Sequence, residues 1–350
     1  MNAADLIEIM LVAIVSAIAA VLLTVWVSSL MRAHRIRIEP TLGEARRAIV
    51  ASLSGGGQKL GEAFPKLGRF SEHYIVSVML DLAPSVTGTS RSALVALGES
   101  IGVTERALRG VRSRRWSTRL YAARVLTAFG TESPAMHDLL TDRSPDVRAQ
   151  AAAWCAVFPT PEGIDELIRL LGDADGQCRF AAQDSLIRIG TPASEALITT
   201  LGTAGDQVTG RILEIAAATG DPRFGGPTRA LLADPLHANR ALAADVLAST
   251  GGASAGPTLQ GLLDDPSDAV VKSAAKGIGK LAFWSGAAAV EPLLSHPTWK
   301  VRKQAGMTLL ALGAPGAILL QANSPGFGPA ADMATHALQL QALSIQEEAR

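Results

Sequence analysis

The sequence predicts an all-α protein, a right-handed α-solenoid of paired helices preceded by one transmembrane helix. Three observations carry this. Arg119, Arg148, Arg179, Thr209, Arg240, Lys272 and Arg302 recur 29 to 32 residues apart, and three residues after each stands Ala122, Ala151, Ala182, Ile212, Ala243, Ala275 or Ala305. Eleven residues after each comes Gly130, Pro159, Gly190, Gly220, Gly251, Phe283 or Gly313. A period near 30 marks a stacked array, because no single unit can bury its apolar face alone. Runs of alternating Val, Ile and Thr are absent, so extended sheet is not expected. Residues 9–31 form an uncharged apolar stretch of 23 residues.

That stretch comes first along the chain. As a helix it reaches about 35 Å, enough for a hydrocarbon core of about 30 Å. Trp26 lies near its far end, where an interfacial indole belongs. A cleavable signal peptide has a basic start and a shorter apolar core, whereas here only Asp5 and Glu8 precede the span. Arg32, His34, Arg35 and Arg37 follow it. The positive side stays in the cytoplasm, so the N-terminus is expected outside and the rest of the chain inside, at an inner or plasma membrane. Residues 1–38 are therefore read as anchor and basic flank.

Residues 39–110 do not keep the repeat register. Thr41–Leu53, Glu72–Leu82 and Ser90–Ser100 read as helices, separated by Ser54-Gly55-Gly56-Gly57 and by Pro84 and Gly88. This region is expected to be the polar-faced cap that a stacked array needs at its end. Leu53–Lys59 lacks the Gly-Lys-Ser/Thr ending of a phosphate loop and is read as a plain loop.

Residues 111–320 hold seven units of two helices each. In the unit around Arg179, Pro161 opens the first helix, and Ile164, Leu167, Ile168 and Leu171 form its apolar stripe. Residues 172–176 turn, and Cys178, Ala181, Ala182, Leu186 and Ile189 face inward on the second helix. Gly190 closes it, as glycine does at a helix C′ position. Asp146 and Asp268 are expected to cap second helices. Residues 321–350 are left as a C-terminal cap helix and tail.

The pattern Asp-x-x-x-x-Val-Arg-x-x-Ala, as in Asp142 through Val147, Arg148 and Ala151, resembles HEAT repeats of the short bacterial type also seen in phycobilin lyases. The resemblance covers residues 111–320. It implies an α-solenoid and a protein-binding surface, and says little of which partner is bound. The Arg column (Arg148, Arg179, Arg240, Lys272, Arg302) and the acidic column six residues earlier (Asp142, Asp173, Asp234) are read as structural: turn capping and hydrogen bonds between repeats. Ser113, Thr203, Pro266 and His296 break the acidic column.

No chemistry is assigned. The six histidines form no ligand spacing, Cys155 and Cys178 form no metal motif, and no nucleophile elbow occurs. Catalytic residues, metal sites and cofactors are all read as none, and the two thiols point to a reducing compartment. Charge is uneven: residues 31–130 carry 16 Lys and Arg against 7 Asp and Glu, and residues 131–350 carry 16 against 23.

The candidate contact for a partner or a lipid surface is the Arg106–Arg124 cluster, chiefly Arg112, Arg114, Arg115, Trp116 and Arg119. Arg112, Arg115 and Arg119 share one face if their helix is continuous. Trp154, Trp284 and Trp299 are read as packing anchors, any of which becomes a hot-spot candidate if exposed.

The expected function is that of a membrane-anchored, non-catalytic scaffold. It binds another protein, through an acidic groove in its C-terminal half, in a bacterial envelope or polysaccharide-synthesis assembly. A membrane glycosyltransferase is the named candidate partner. The alternatives are a phycobilin-lyase-like chromophore enzyme and a binder of anionic lipid or nucleic acid through the Arg cluster. Nucleic acid is disfavoured by the acidic repeats and the scarcity of aromatics.

Overall fold

A computed structural model describes residues 43–44, 46–47, 49–50, 72–252 and 254–348. The expected transmembrane span at 9–31, its basic flank and the Leu53–Lys59 loop lie outside these residues. Among the described residues there is no strand, and no helix is long and apolar enough to cross a membrane.

By their contacts the residues divide into two compact units, one ending at Ser133 and one beginning at Pro134. In the first, the described positions between 43 and 50 are helical. They are followed by α1 (Glu72–Leu82), α2 (Gly88–Ser100), α3 (Val103–Gly110) and α4 (Trp116–Phe129). The core is built from Val76, Met79, Leu94, Leu97, Val125 and Leu126, each at most 1% exposed. Phe129 seats against Gly98, where any side chain would collide with its ring. Arg91 ties the unit together by donating to the carbonyls of Ala83 and Ala128. The helix pair that carries Arg119 belongs to this unit.

The second unit repeats one pattern. A broken first helix, α-helical then 3-10 in most copies, is followed by a straight second helix. The second helices are α6 (Pro145–Cys155), α8 (Gly176–Ile189), α10 (Asp206–Thr219), α12 (His237–Thr250), α14 (Asp268–Lys280) and α16 (Trp299–Ala311). The first helices are α5 (Ala135–Asp138), α7 (Pro161–Leu170), α9 (Ser194–Leu201), α11 (Gly225–Thr228), α13 (Ala255–Gly261) and α15 (Ala287–Val290). Two further helices, α17 (Ala314–Asn323) and α18 (Pro329–Glu348), pack on α16. Each second helix contacts the next, which is the stacking of a solenoid. The alanine column allows it: Ala151, Ala182, Ile212, Ala243, Ala275 and Ala305 are all fully buried. Between these helices Ser185 donates to the Ala152 carbonyl and Thr308 to the Ala275 carbonyl, so each buried hydroxyl is satisfied by a carbonyl of the preceding helix.

The Arg column staples each turn. Arg119, Arg148, Arg179, Arg240 and Arg302 all donate from Nη1 to the carbonyls six and five residues earlier, at 2.7–3.4 Å. Those carbonyls sit in the turn that enters the second helix. The acidic column works on the same turn. Asp142, Asp173 and Asp234 each accept from the backbone N–H two residues on, at 2.8 Å. Ser113 and His296 make the same bond with other acceptors, and Asp265 makes it one position earlier than the register predicts. The apparent departures at 113, 265–266 and 296 therefore keep the function of the column.

Some staples also reach the next repeat. Arg148 Nε and Nη2 grip both oxygens of Asp173 at 2.9 and 2.8 Å. Arg240 grips Asp265 the same way at 2.8 and 2.9 Å. On the edge formed by the first helices, Ser194 donates to Asp221, which also binds Arg223, while Arg223 donates to the Thr191 carbonyl. Arg179 has no acidic partner in the following repeat, because Thr203 stands there. Its Nε is buried without a hydrogen bond, and the α8–α10 joint is the sparsest between second helices of the second unit.

Several expectations require correction. Asp146 and Asp268 are not N-caps: they lie inside α6 and α14, whose N-caps are Ser144 and Ser267. Among the described helices the side-chain caps are Thr160 on α7, Asp175 on α8 and Asp221 on the 3-10 turn that enters α11. In the sixth pair the closing position is Ala282 rather than Phe283, with a φ of 50°. A non-glycine residue costs about 1 kcal/mol there. Glycine serves that purpose at Gly130, Gly190, Gly220, Gly251 and Gly313.

Substituting Thr203→Asp supplies the missing acceptor for Arg179 and is expected to stabilise the fold by about 1 kcal/mol. Asp173→Asn, which breaks the Arg148 fork, is expected to cost about 2 kcal/mol. Urea unfolding of both variants beside the parent checks the pair, and a Thr203→Asp protein no more stable than the parent refutes the staple.

Three carboxyls set the acid limit of the fold. Burial pushes Asp173 up, but the Arg148 hydrogen bond, the Asp175 N–H and the charges of Arg148 and Arg179 hold it below its ordinary value. The Arg240 side chain holds Asp265 down. Hydrogen bonds from the Arg223 side chain and N–H, with the Ser194 hydroxyl, hold Asp221 well below the carboxylate range. Because each is lower folded than unfolded, its contribution is complete above about pH 4 and lost as the pH falls through the folded value. The urea midpoint is therefore expected to drop below about pH 4, and Asp221→Asn to make that drop shallower.

Candidate functional site

The Arg cluster lies on α3, α4 and the turn between them. The helix is not continuous. It stops at Gly110 and restarts at Trp116, so Arg112, Arg115 and Arg119 do not share a helical face as expected. Arg119 is committed to the turn carbonyls described above. Arg106 donates to the Ile101 carbonyl, and Arg109 lies 4.0 Å from Glu105. Arg112, Arg114 and Arg115 are exposed, and Trp116, in the first turn of α4, is 51% exposed. The structure thus brings Arg112, Arg114, Arg115 and Trp116 together on the surface and removes Arg119 to a structural role.

The tryptophans divide. Trp154 is fully buried, with the His137 ring edge-on at 5.2 Å and Phe158 at 5.1 Å. His137 is held by Thr160, the residue that caps α7. Trp284 and Trp299 are 65% and 53% exposed, which corrects their reading as packing anchors. Both stand in the first turn of a helical segment whose stripe already fills the core, so the indole is left outside.

A groove of about 280 Å³ runs between α10, α12 and α14, with Ala217, Leu242 and Gly277 as its floor and Glu214, Asp245 and Lys276 among its charged walls. Both of its acids are hydrogen-bonded to neighbouring side chains. Glu214 accepts from Gln183, which in turn accepts from Arg211, and Asp245 accepts from Ser273 and Lys276. Bonds between repeats hold these side chains in place, and Lys276 is the cation that answers Asp245. The sequence concealed this because the partners are about 30 residues apart.

A second cleft, of about 590 Å³, is lined by Asp268, Lys272, Thr298, Trp299, Lys300 and Val301. Thr209 keeps part of the column's bond, its hydroxyl donating to the Ala204 carbonyl five residues earlier at 3.3 Å, so among the described residues Lys272 is the member of the column not fixed to its turn.

Among the described residues no three His, Cys, Asp or Glu side chains stand close enough to hold a metal. Cys155 and Cys178 are buried and unpaired, and burial pushes both thiols up to about 11. At that value they are poor nucleophiles.

Residues 104–186 and 133–218 match the family profile of HEAT repeats, so this stretch is built of such repeats. No curated protein matches the sequence. Among solved structures, an engineered protein is 19% identical over 86% of this chain and 95% of its own, with a TM-score of 0.38. The complex of CpcE and CpcF of phycocyanin lyase from Nostoc sp. PCC7120 is 20% identical over 68% and 94%, with a TM-score of 0.32. Kap95p is 13% identical over 84% of this chain and 49% of its own, with a TM-score of 0.51. The match spans about half of Kap95p, and at that identity it establishes the helical solenoid fold alone.

Proposed function

We propose that this chain is a non-catalytic scaffold that binds another protein on its repeat surface. The observation that carries the reading is the row of second helices from α6 to α16, whose inner faces are consumed by stacking while their outer faces form grooves with apolar floors and paired charged walls. Such extended surfaces are what stacked repeats offer to partners. Kap95p, which shares the fold, acts on RanGDP in its solved complex. The finer setting is also a proposal. Residues 9–31 hold the chain in an inner or plasma membrane with the N-terminus outside, and the repeats work on the cytoplasmic side of a bacterial envelope or polysaccharide-synthesis assembly. A membrane glycosyltransferase is the partner that setting favours.

The test is photo-crosslinking in membranes from Leu242, in the groove, and from Ile318, which is 64% exposed on α17. A protein captured from position 242 and not from 318 is expected, and it should be lost when the chain begins at Glu39. Absence of any captured protein at either position overturns the scaffold reading. Capture that survives the truncation removes the membrane setting alone.

A second reading rests on the exposed Arg112, Arg114, Arg115 and Trp116, a basic and aromatic patch suited to anionic lipid at about 1 kcal/mol per basic residue. Replacing the three arginines with Glu in a protein lacking residues 1–38 is expected to abolish its sedimentation with phosphatidylserine vesicles. Unchanged sedimentation dismisses this reading.

A further inference from the structure

The chain concentrates its lysines in one place. Of its seven lysines, five are Lys272, Lys276, Lys280, Lys300 and Lys303, on α14 and α16. Residues 268–311 hold six basic against two acidic side chains, whereas residues 131–267 hold nine against eighteen. The last two repeats are therefore a basic island in an acidic array, opposite to the sign expected of this half of the chain.

At its centre is the Trp299 cleft. Trp299 and the apolar atoms of Ala269, Val301 and Thr298 form its walls, and Lys272 and Lys300 carry the positive charge. Lys303 stands over one face of the indole at 5.3 Å and does not line the cleft, so the rest of the ring is what the cleft presents. Lys272 has been released from the column. In the repeats around Arg148 and Arg240 this position binds the turn carbonyls and the next repeat's Asp. Here the next repeat offers His296, and the joint is made by Asp268, which accepts from the Thr298 hydroxyl and lies 3.8 Å from His296 Nε2. Asp268 is thus turned to its own joint, and the exposed ammonium of Lys272 has no structural task.

We propose that this cleft docks an acidic, extended segment of a partner protein, with one bulky apolar side chain against Trp299 and carboxylates on Lys272 and Lys300. The inference deepens the scaffold reading and rests on it. Apolar walls inside a charged rim are the anatomy of an interface hot spot, where a central aromatic anchor carries most of the energy. Lys272 and Lys300 reach the cleft from two neighbouring helices, α14 and α16, and flank the indole, so two carboxylates on one chain can be held at once. A nucleic acid strand fits less well, because a single indole gives one stacking position and Asp245 and Asp268 flank the lysines.

A random peptide library displayed against the full chain in detergent tests this. Enriched peptides are expected to carry Asp or Glu on both sides of a Leu, Phe or Trp. A labelled winner, followed by fluorescence anisotropy, is expected to bind about 10-fold or more weakly to Trp299→Ala. Its binding should be lost with Lys272→Glu and Lys300→Glu together, and unchanged with Glu214→Gln. All these side chains are at least half exposed or lie on the surface, so the thermal midpoint of each variant should match the parent and a folding defect is visible. No enrichment, enrichment of basic or uncharged peptides, or binding that survives the double lysine variant overturns the proposal. So does oligo(dT) or phosphatidylserine vesicles binding the cleft with the same residue dependence and displacing the peptide. Failure here with capture from Leu242 intact removes this site and leaves the scaffold.

Discussion

The architecture depends on one interaction, an arginine early in most of the second helices that reaches back to the carbonyls of the turn preceding it. That turn leaves carbonyls without helical partners, and a planar guanidinium with several donors can satisfy two of them and still reach sideways. The Asp at the mouth of the same turn takes an exposed N–H, so one turn is closed from both ends by residues six apart. Where the following repeat also has Asp, the same arginine becomes the bond between repeats, as Arg148–Asp173 and Arg240–Asp265 show. Local turn geometry and stacking are thereby coupled through one side chain.

The same coupling locates the places where the array changes. At Thr203 the acceptor is lost, Arg179 is left with a buried unsatisfied nitrogen, and the adjoining helices pack least among the second helices of the second unit. At Lys272 the donor itself has changed, and the joint passes to Asp268, Thr298 and His296. The first change weakens a joint. The second frees a cation for the surface, beside an indole that packing has left outside. Structural and interaction roles are alternatives for one column: a position either serves the turn or faces solvent.

Charge follows a similar logic. Along the sequence the repeats look acidic, which invites a basic partner. In space Glu214 and Asp245 are answered by Gln183, Ser273 and Lys276 from neighbouring helices. Residues 131–267 keep a surplus of acidic side chains held in bonds between repeats, and the last two repeats carry a positive surplus.

The sequence by itself determined the period, the paired helices, the close-packed alanine column, the closing glycines and the structural role of Arg148, Arg179, Arg240 and Arg302. These are set by short-range geometry that repeats in register, and a residue such as Gly190 or Pro161 has the same meaning in every copy. Only the tertiary structure decided that Ser113, Asp265 and His296 do the work of the acidic column, that the helix breaks before Trp116, and that Trp284 and Trp299 lie outside. It also decided which charges are cancelled. Hydrogen-bond equivalence between unlike side chains, and contact between residues about one repeat apart, are facts of distance in space, and a one-dimensional register carries no distances between repeats.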